Sequence, residues 1–188
     1  MMTATTDTVF NPKAKKFVLL LLMIGLIMVF MGLTSGYIVR KAEGNWLNFQ
    51  LPSAFQWSSV IIIISSLTMY LSHRALRTFN YKRQQLFLAI TGLLGVAFLA
   101  SQWSAWVYLV DSEIFFTGNP AGSFLYVISG LHGVHIIAGL IFIAVLLFGS
   151  IRKINPTMLK FRSEMGQMFW HFIGALWLYL YIFLILNH

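Results

Sequence analysis

The chain has no cysteine in 188 residues. That removes disulfides, thiolate metal sites, Fe–S clusters and cysteine-linked haem together. Acidic residues are nearly as scarce: five Asp and Glu stand against 13 Lys and Arg, giving a net charge of +8. Charge of either sign is rare, 10% of residues against about 25% in an ordinary soluble domain. No internal repeat, low-complexity stretch or soluble domain is visible. What is there instead is apolar: 59% of residues are hydrophobic and the mean hydropathy is +0.79. A soluble fold cannot hide that much apolar surface, so lipid is the solvent for most of it.

A spanning helix needs about 20 apolar residues to cross a hydrocarbon core roughly 30 Å thick. Five runs qualify: 17–39, 55–71, 86–110, 124–149 and 168–186. They are continuous and Leu/Ile-rich rather than alternating, and backbone groups in lipid must be satisfied within the segment. The expected fold class is all-α, a polytopic membrane protein with five transmembrane helices. The second run is the shortest and is closed by His73 and Arg74. The first is too long for a signal peptide's apolar region, and Arg40-Lys41 follows with no small-residue cleavage site. Residues 1–16 read as a polar N-terminal tail and 17–188 as one transmembrane domain.

Lys and Arg in short loops mark the cytoplasmic side. Lys13, Lys15 and Lys16 precede span one. Arg74, Arg77, Lys82 and Arg83 lie between spans two and three, and Arg152, Lys153, Lys160 and Arg162 between spans four and five. The loop between spans three and four carries Asp111 and Glu113 and no cation, and the loop after span one has only Arg40 and Lys41. The alternation places the N-terminus in the cytoplasm and the C-terminus outside. It also explains the positive charge through topology and anionic headgroups, so no nucleic-acid partner is expected. Trp46, Trp57, Trp103, Trp106 and Trp170 sit near predicted boundaries, as interfacial belts do.

Ionisable groups inside a span are expensive, so each is a functional candidate. They are few: His132 and His135 in span four, His171 in span five with Glu164 at its start, and the polar Gln102 in span three. No Asp, Lys or Arg lies deep in a helix. His132 and His135 are i and i+3, on one face, in the segment Gly130-Leu131-His132-Gly133-Val134-His135, with Gly139 four beyond. Small residues admit a neighbouring helix, and the imidazoles are expected to hydrogen-bond across that contact. Glu164, Gln167, His171, Ala175 and Leu178 form a stripe that enters from the cytoplasmic side and fades halfway. Gly25, Gly32 and Gly36 give span one a similar small-residue face, and Gly92 and Gly95 head a comparable stripe in span three.

Bis-histidine haem ligation is disfavoured. His132 and His135 share a face, and His171 lies near the inner side while His132 is about 13 Å from the outer start of its span. A metal site lacks a carboxylate at matching depth. A proton relay through the histidines is conceivable, but inter-helix or lipid-headgroup hydrogen bonding is the simpler reading. No catalytic, cofactor-binding or metal residue is assigned. The five polar residues Gln102, His132, His135, Glu164 and His171 are read as structural, lipid or inter-helix contacts.

These residues resemble subunit III of the haem–copper respiratory oxidases, from about Leu19 to His188 and most strongly after Leu86. Gly130 to His135 looks like that family's G-x-H-G-x-H segment. Trp170-His171-Phe172 with Trp177 looks like its W-H-F-x-x-x-x-W segment, with Glu164 seven before His171. Gln102 and the Gly122-Ser123-Phe124 entry to span four also agree. The order and spacing together make the match specific, and a five-helix form is similar to many bacterial versions. Two acids common in the family are missing, near Gly25 or Leu26 in span one and at Gly174 in span five. Roles resting on them do not carry over.

The resemblance implies a non-redox subunit of a proton-pumping terminal oxidase in a bacterial inner membrane. Haems and copper would sit in partner subunits, chiefly subunit I, with subunit II, a possible small subunit IV and a possible respiratory supercomplex beside them. It also implies bound phospholipid and support of proton uptake and turnover stability. Whether cytochrome c or quinol is the donor is decided in other subunits. The alternative is a small transporter or channel, although repeats and broken helices typical of transporters are not visible. A stand-alone haem protein would need the ligand geometry disfavoured above.

Overall fold

A computed structural model describes residues 11–47 and 49–187. Five helices account for most of them: α1 Pro12–Ala42, α2 Ala54–Arg77, α3 Tyr81–Asp111, α4 Pro120–Ile151 and α5 Pro156–Asn187. Each is long and apolar enough to cross a membrane, and no strand occurs among the described residues.

Every helix outruns its hydropathy segment, α5 by twelve residues at its start. At about 1.5 Å per residue a 32-residue helix is roughly 48 Å long, well beyond the ~30 Å hydrocarbon core. Hydropathy registers only the part in oil, and the charged ends continue as helix into the headgroup zone. Residues 12–16, read as tail, are thus the first turn of α1. Residues 1–10 of that tail, and His188 at the end of the family resemblance, lie outside the described residues.

Four of the five helix starts share one device; α2, which follows Ser53, has no side-chain cap. Asn11, Asn80, Asn119 and Asn155 each turn a side-chain oxygen onto the first free amides of the helix that follows, at 2.9–3.2 Å. In three of the four, proline fills the next position, where its missing N–H removes nothing. The ends of α2, α3 and α4 close by six-to-one bonds, Asn80 N to Ala75 O, Ile114 N to Leu109 O and Ile154 N to Gly149 O. Such a closure needs a left-handed residue, and here Phe79, Glu113 and Lys153 supply it, at φ 56°, 60° and 51°.

Helices α2, α3, α4 and α5 form a closed ring of neighbours: α2 on α3, α3 on α4, α4 on α5, α5 on α2. Helix α1 lies against the α4–α5 edge and touches neither α2 nor α3. The ring's interior holds Phe55, Phe98, Leu88, Ile136, Trp170 and Trp177, all fully buried.

Glycines bring the helices close. An added Cβ at Gly95 would fall 2.7 Å from Leu140 and 2.8 Å from Trp170, one at Gly166 2.6 Å from Phe142, and one at Gly139 3.0 Å from Ile173 and Trp170. The glycine face of α1 differs from expectation. A Cβ at Gly25 or Gly32 meets nothing within 4 Å, and Gly36 approaches only the Phe124 ring. The reason is that α1 faces the bundle with Met23, Phe30, Thr34 and Tyr37 instead, which turns Gly25 and Gly32 outward.

Candidate functional site

The polar chemistry of the bundle is concentrated on α2, in a pattern of side chains that carry no charge. Ser58, Ser65 and Ser72 recur every seven residues, and so do Ser59, Ser66 and His73. Seven residues are nearly two turns, so each set stays on one face of the helix. Every member bonds to a helix other than its own, α3 or α5. Gln102 Nε2 of α3 donates to Ser58 Oγ at 3.0 Å. From α5, Trp177 Nε1 donates to Ser59 Oγ at 3.1 Å and Trp170 Nε1 to Ser65 Oγ at 2.9 Å. Ser66 Oγ pairs with His171 Nδ1. Ser72 Oγ donates to the Gln84 carbonyl at 3.0 Å, and His73 Nδ1 meets Ser163 Oγ at 3.1 Å. Thr68 adds a 2.8 Å contact with Thr91. A polar seam thus runs down the interior with its rungs crossing between helices, where burying an unpaired hydroxyl or indole N–H would be costly.

Neighbouring donors fix the imidazoles. Arg77 Nε can only donate, and it does so to His73 Nε2 at 3.1 Å, so His73 carries its hydrogen on Nδ1 and donates to Ser163. The Gln167 amide reaches His171 Nε2 at 3.3 Å, which likewise leaves Nδ1–H for Ser66. Glu164 binds Lys16 of α1 at 2.7 Å, both half-exposed. Three of the five sequence candidates therefore bridge helices: Gln102 to α2, His171 to α2 and Glu164 to α1.

His132 and His135 depart from the expected cross-helix hydrogen bonds. His135 Nδ1–H turns back to the Leu131 carbonyl of its own helix at 2.7 Å, and its ring stands T-shaped to Phe30 at 5.8 Å. His132 is fully buried with three rings around it: Trp177 at 5.2 Å, Phe98 at 5.8 Å and Phe30 at 6.2 Å. The helices facing it present aromatic side chains there, and neither ring nitrogen has a protein partner. The five candidates do not converge on one site. Among the described residues no three His, Asp or Glu gather closely enough to hold a metal ion.

Two apolar clefts flank α5. One, of about 430 Å³, lies against α2 and includes Ser66, Tyr70, His171, Gly174 and Leu178. The other, of about 310 Å³, lies against α1 between Ile27, Met31, Phe172 and Tyr179. Ala175 lines both.

The serine period and the Asn-Pro starts escaped a reading directed at ionisable groups. Both are legible as spacings: paired polar residues at 58–59, 65–66 and 72–73, and Asn-Pro at 11, 119 and 155.

Within this ring of four helices the G-x-H-G-x-H segment lies on α4 and W-H-F on α5. The sequence model of the family described as Cytochrome c oxidase subunit III matches residues 48–187. The chain belongs to that family. The matched stretch takes in α2 to α5 whole and leaves α1 outside.

The subunit III relatives agree. The protein called Cytochrome c oxidase subunit 3 of Synechocystis sp. is 29% identical over 181 residues, 92% of this chain and 75% of that protein. Those of Bacillus sp. strain PS3 and Alkalihalophilus pseudofirmus are 28% and 32% identical over 71% and 65% of this chain. The chain spans 64% and 60% of the length of those two. As a subunit III family member it is a multi-pass membrane protein. At Gly174, where the resemblance would put an acid, a Cβ would lie 3.4 Å from Ile62, so the α5 backbone packs on α2 there.

Proposed function

We propose that this chain is the non-redox subunit III of a proton-pumping haem–copper terminal oxidase in a bacterial inner membrane. Its N-terminus faces the cytoplasm. It packs on subunit I, beside subunit II and a small subunit IV, and supports proton uptake and durable turnover. The carrying observation is that the family-matched helices α2, α3 and α5 spend the polar groups of the α2 seam on one another. Every serine of the α2 seam, both buried tryptophans, Gln102 and His171 are committed to helix–helix bonds. A chain built this way can buttress and fill; its haem and copper chemistry belongs to partner subunits. Phospholipid acyl chains fit the two apolar clefts beside α5, which open along the side of the bundle. The transporter reading is disfavoured because polar groups that bond in pairs across helices leave no lined passage.

The test is to capture the complex by a tag on this chain, identify its companions and record a visible spectrum. A haem–copper subunit and a haem spectrum are expected; a colourless preparation without such a subunit retires the reading. Within the purified oxidase, Glu164→Ala and His171→Ala are expected to shorten the period of steady turnover, followed as oxygen consumption over successive substrate additions. Unchanged durability in both removes them from proton uptake.

A further inference from the structure

The centre of the ring carries an imbalance of hydrogen-bond donors and acceptors. Ser58 gives its one hydrogen to the Phe55 carbonyl at 2.9 Å, so its oxygen must accept from Gln102, and the Gln102 amide must face it with Nε2. Gln102 Oε1 then points away, buried, with no protein donor. His132 is in the same position on α4: fully buried, both nitrogens without a protein partner. A neutral imidazole has one N–H and one bare nitrogen. The N–H can rest against Phe98 or Phe30, both T-shaped to the ring, as a weak N–H···π contact. No group of that kind serves the bare nitrogen. Two acceptors therefore lack a donor, Gln102 Oε1 and one nitrogen of His132.

The two lie in one layer of the bundle. Gln102 is one turn beyond Phe98 on the same face of α3, and the Phe98 ring is 5.8 Å from His132. On the other side Trp177 lies tilted against His132 and donates to Ser59, the neighbour of Gln102's own partner. The α3–α4 seam leaves room for a methyl group at this level. An added Cβ at Gly130 would come no nearer than 3.6 Å to Trp106, and one at Gly133 only 4.0 Å from Leu99, where Gly95 further along α3 would collide at 2.7 Å.

We propose that one ordered water molecule sits at this junction of α2, α3, α4 and α5. It donates one O–H to Gln102 Oε1 and the other to the bare nitrogen of His132. A water supplies the two donors the layer lacks, and buried waters characteristically serve otherwise unsatisfied interior groups. The consequence is a four-helix link: Ser58 and Ser59 on α2, Gln102 on α3, His132 on α4 and Trp177 on α5 become one connected set.

The experiment is a cryo-EM map of the intact complex at a resolution that shows ordered water, for the wild type, Gln102→Leu and His132→Phe. A single peak within hydrogen-bond distance of both Gln102 Oε1 and a His132 nitrogen is expected in the wild type, and its loss in each variant. No peak in the wild type, or a peak that persists in Gln102→Leu, overturns the proposal. Should a variant fail to assemble, the wild-type map decides alone. Because that map reads hydration inside this chain, its outcome is independent of whether the partners proposed above are correct.

Discussion

Ser65 shows what one uncharged side chain holds in this bundle. It is fully buried and receives the indole N–H of Trp170, itself fully buried. Ser65→Ala leaves that N–H unsatisfied where no water competes for it, and is expected to destabilise by about 1–3 kcal/mol, read as a lower midpoint in thermal denaturation of the detergent-solubilised protein. Glycines give a sharper contrast because chemistry is held constant. Gly95→Ala drives a methyl to 2.7–2.8 Å from Leu140 and Trp170 and is expected to cost about 1–3 kcal/mol by overpacking. Gly25→Ala meets open space and is expected to be neutral or slightly favourable through helix propensity, by up to ~1 kcal/mol. The same denaturation assay on both variants separates the two; equal losses would refute the seam as drawn.

At the scale of the helix, ends and faces obey different constraints. The starts of α1, α3, α4 and α5 are set locally by Asn caps, three of them with N1 prolines. The stops of α2, α3 and α4 use non-glycine residues in the left-handed region, which L side chains occupy at a penalty of about 1–2 kcal/mol. Glu113→Gly relieves that penalty without disturbing the Ile114–Leu109 closure, so about 1 kcal/mol of stabilisation is expected, visible as a raised unfolding midpoint. A fall instead would mean that the Glu113 side chain contributes more than its backbone strain removes. On the faces, α2 is a seam and α1 is a strap. The hydroxyls of α2 bond inward to α3 and α5, whereas α1 is attached to α4 and α5 alone. Its links to α5 are Lys16–Glu164, Thr34–Tyr179 at 3.0 Å and Tyr37 and Lys41 on the Asn187 carbonyl.

That asymmetry sets an expectation for the whole molecule. Local stability follows buried contacts, and α1 buries only four residues, fewer than any helix of the ring. Amide hydrogen exchange of the solubilised protein should release α1 before α2 or α3. Lys16→Ala removes a half-exposed ion pair, which contributes at most about 1 kcal/mol. It should quicken exchange in α1 selectively, an effect that high salt imitates in the wild type. Uniform exchange across all five helices would contradict the strap.

The fold class was open to sequence because one solvent dictates it. A chain with this hydropathy must satisfy its backbone within each segment, so five apolar runs are five helices. The family's order of motifs, G-x-H-G-x-H before W-H-F, is likewise a property of the string. Which polar group meets which is not. Glu164 was legible as a candidate, but Lys16 lies 148 residues away in sequence, and only the docking of α1 on α5 brings them together. His132 and His135 share a sequence motif and have opposite fates, one enclosed by three aromatic rings and one bonded to its own helix. The serines of α2 carry no charge to advertise them, and they matter because α3 and α5 arrive with an amide, two indoles and an imidazole at matching heights. Composition and spacing determined that helices form and which family they come from. Tertiary structure alone decided the pairing, because hydrogen bonds and close approaches depend on the rotation and depth of each helix against its neighbours, and a sequence records neither.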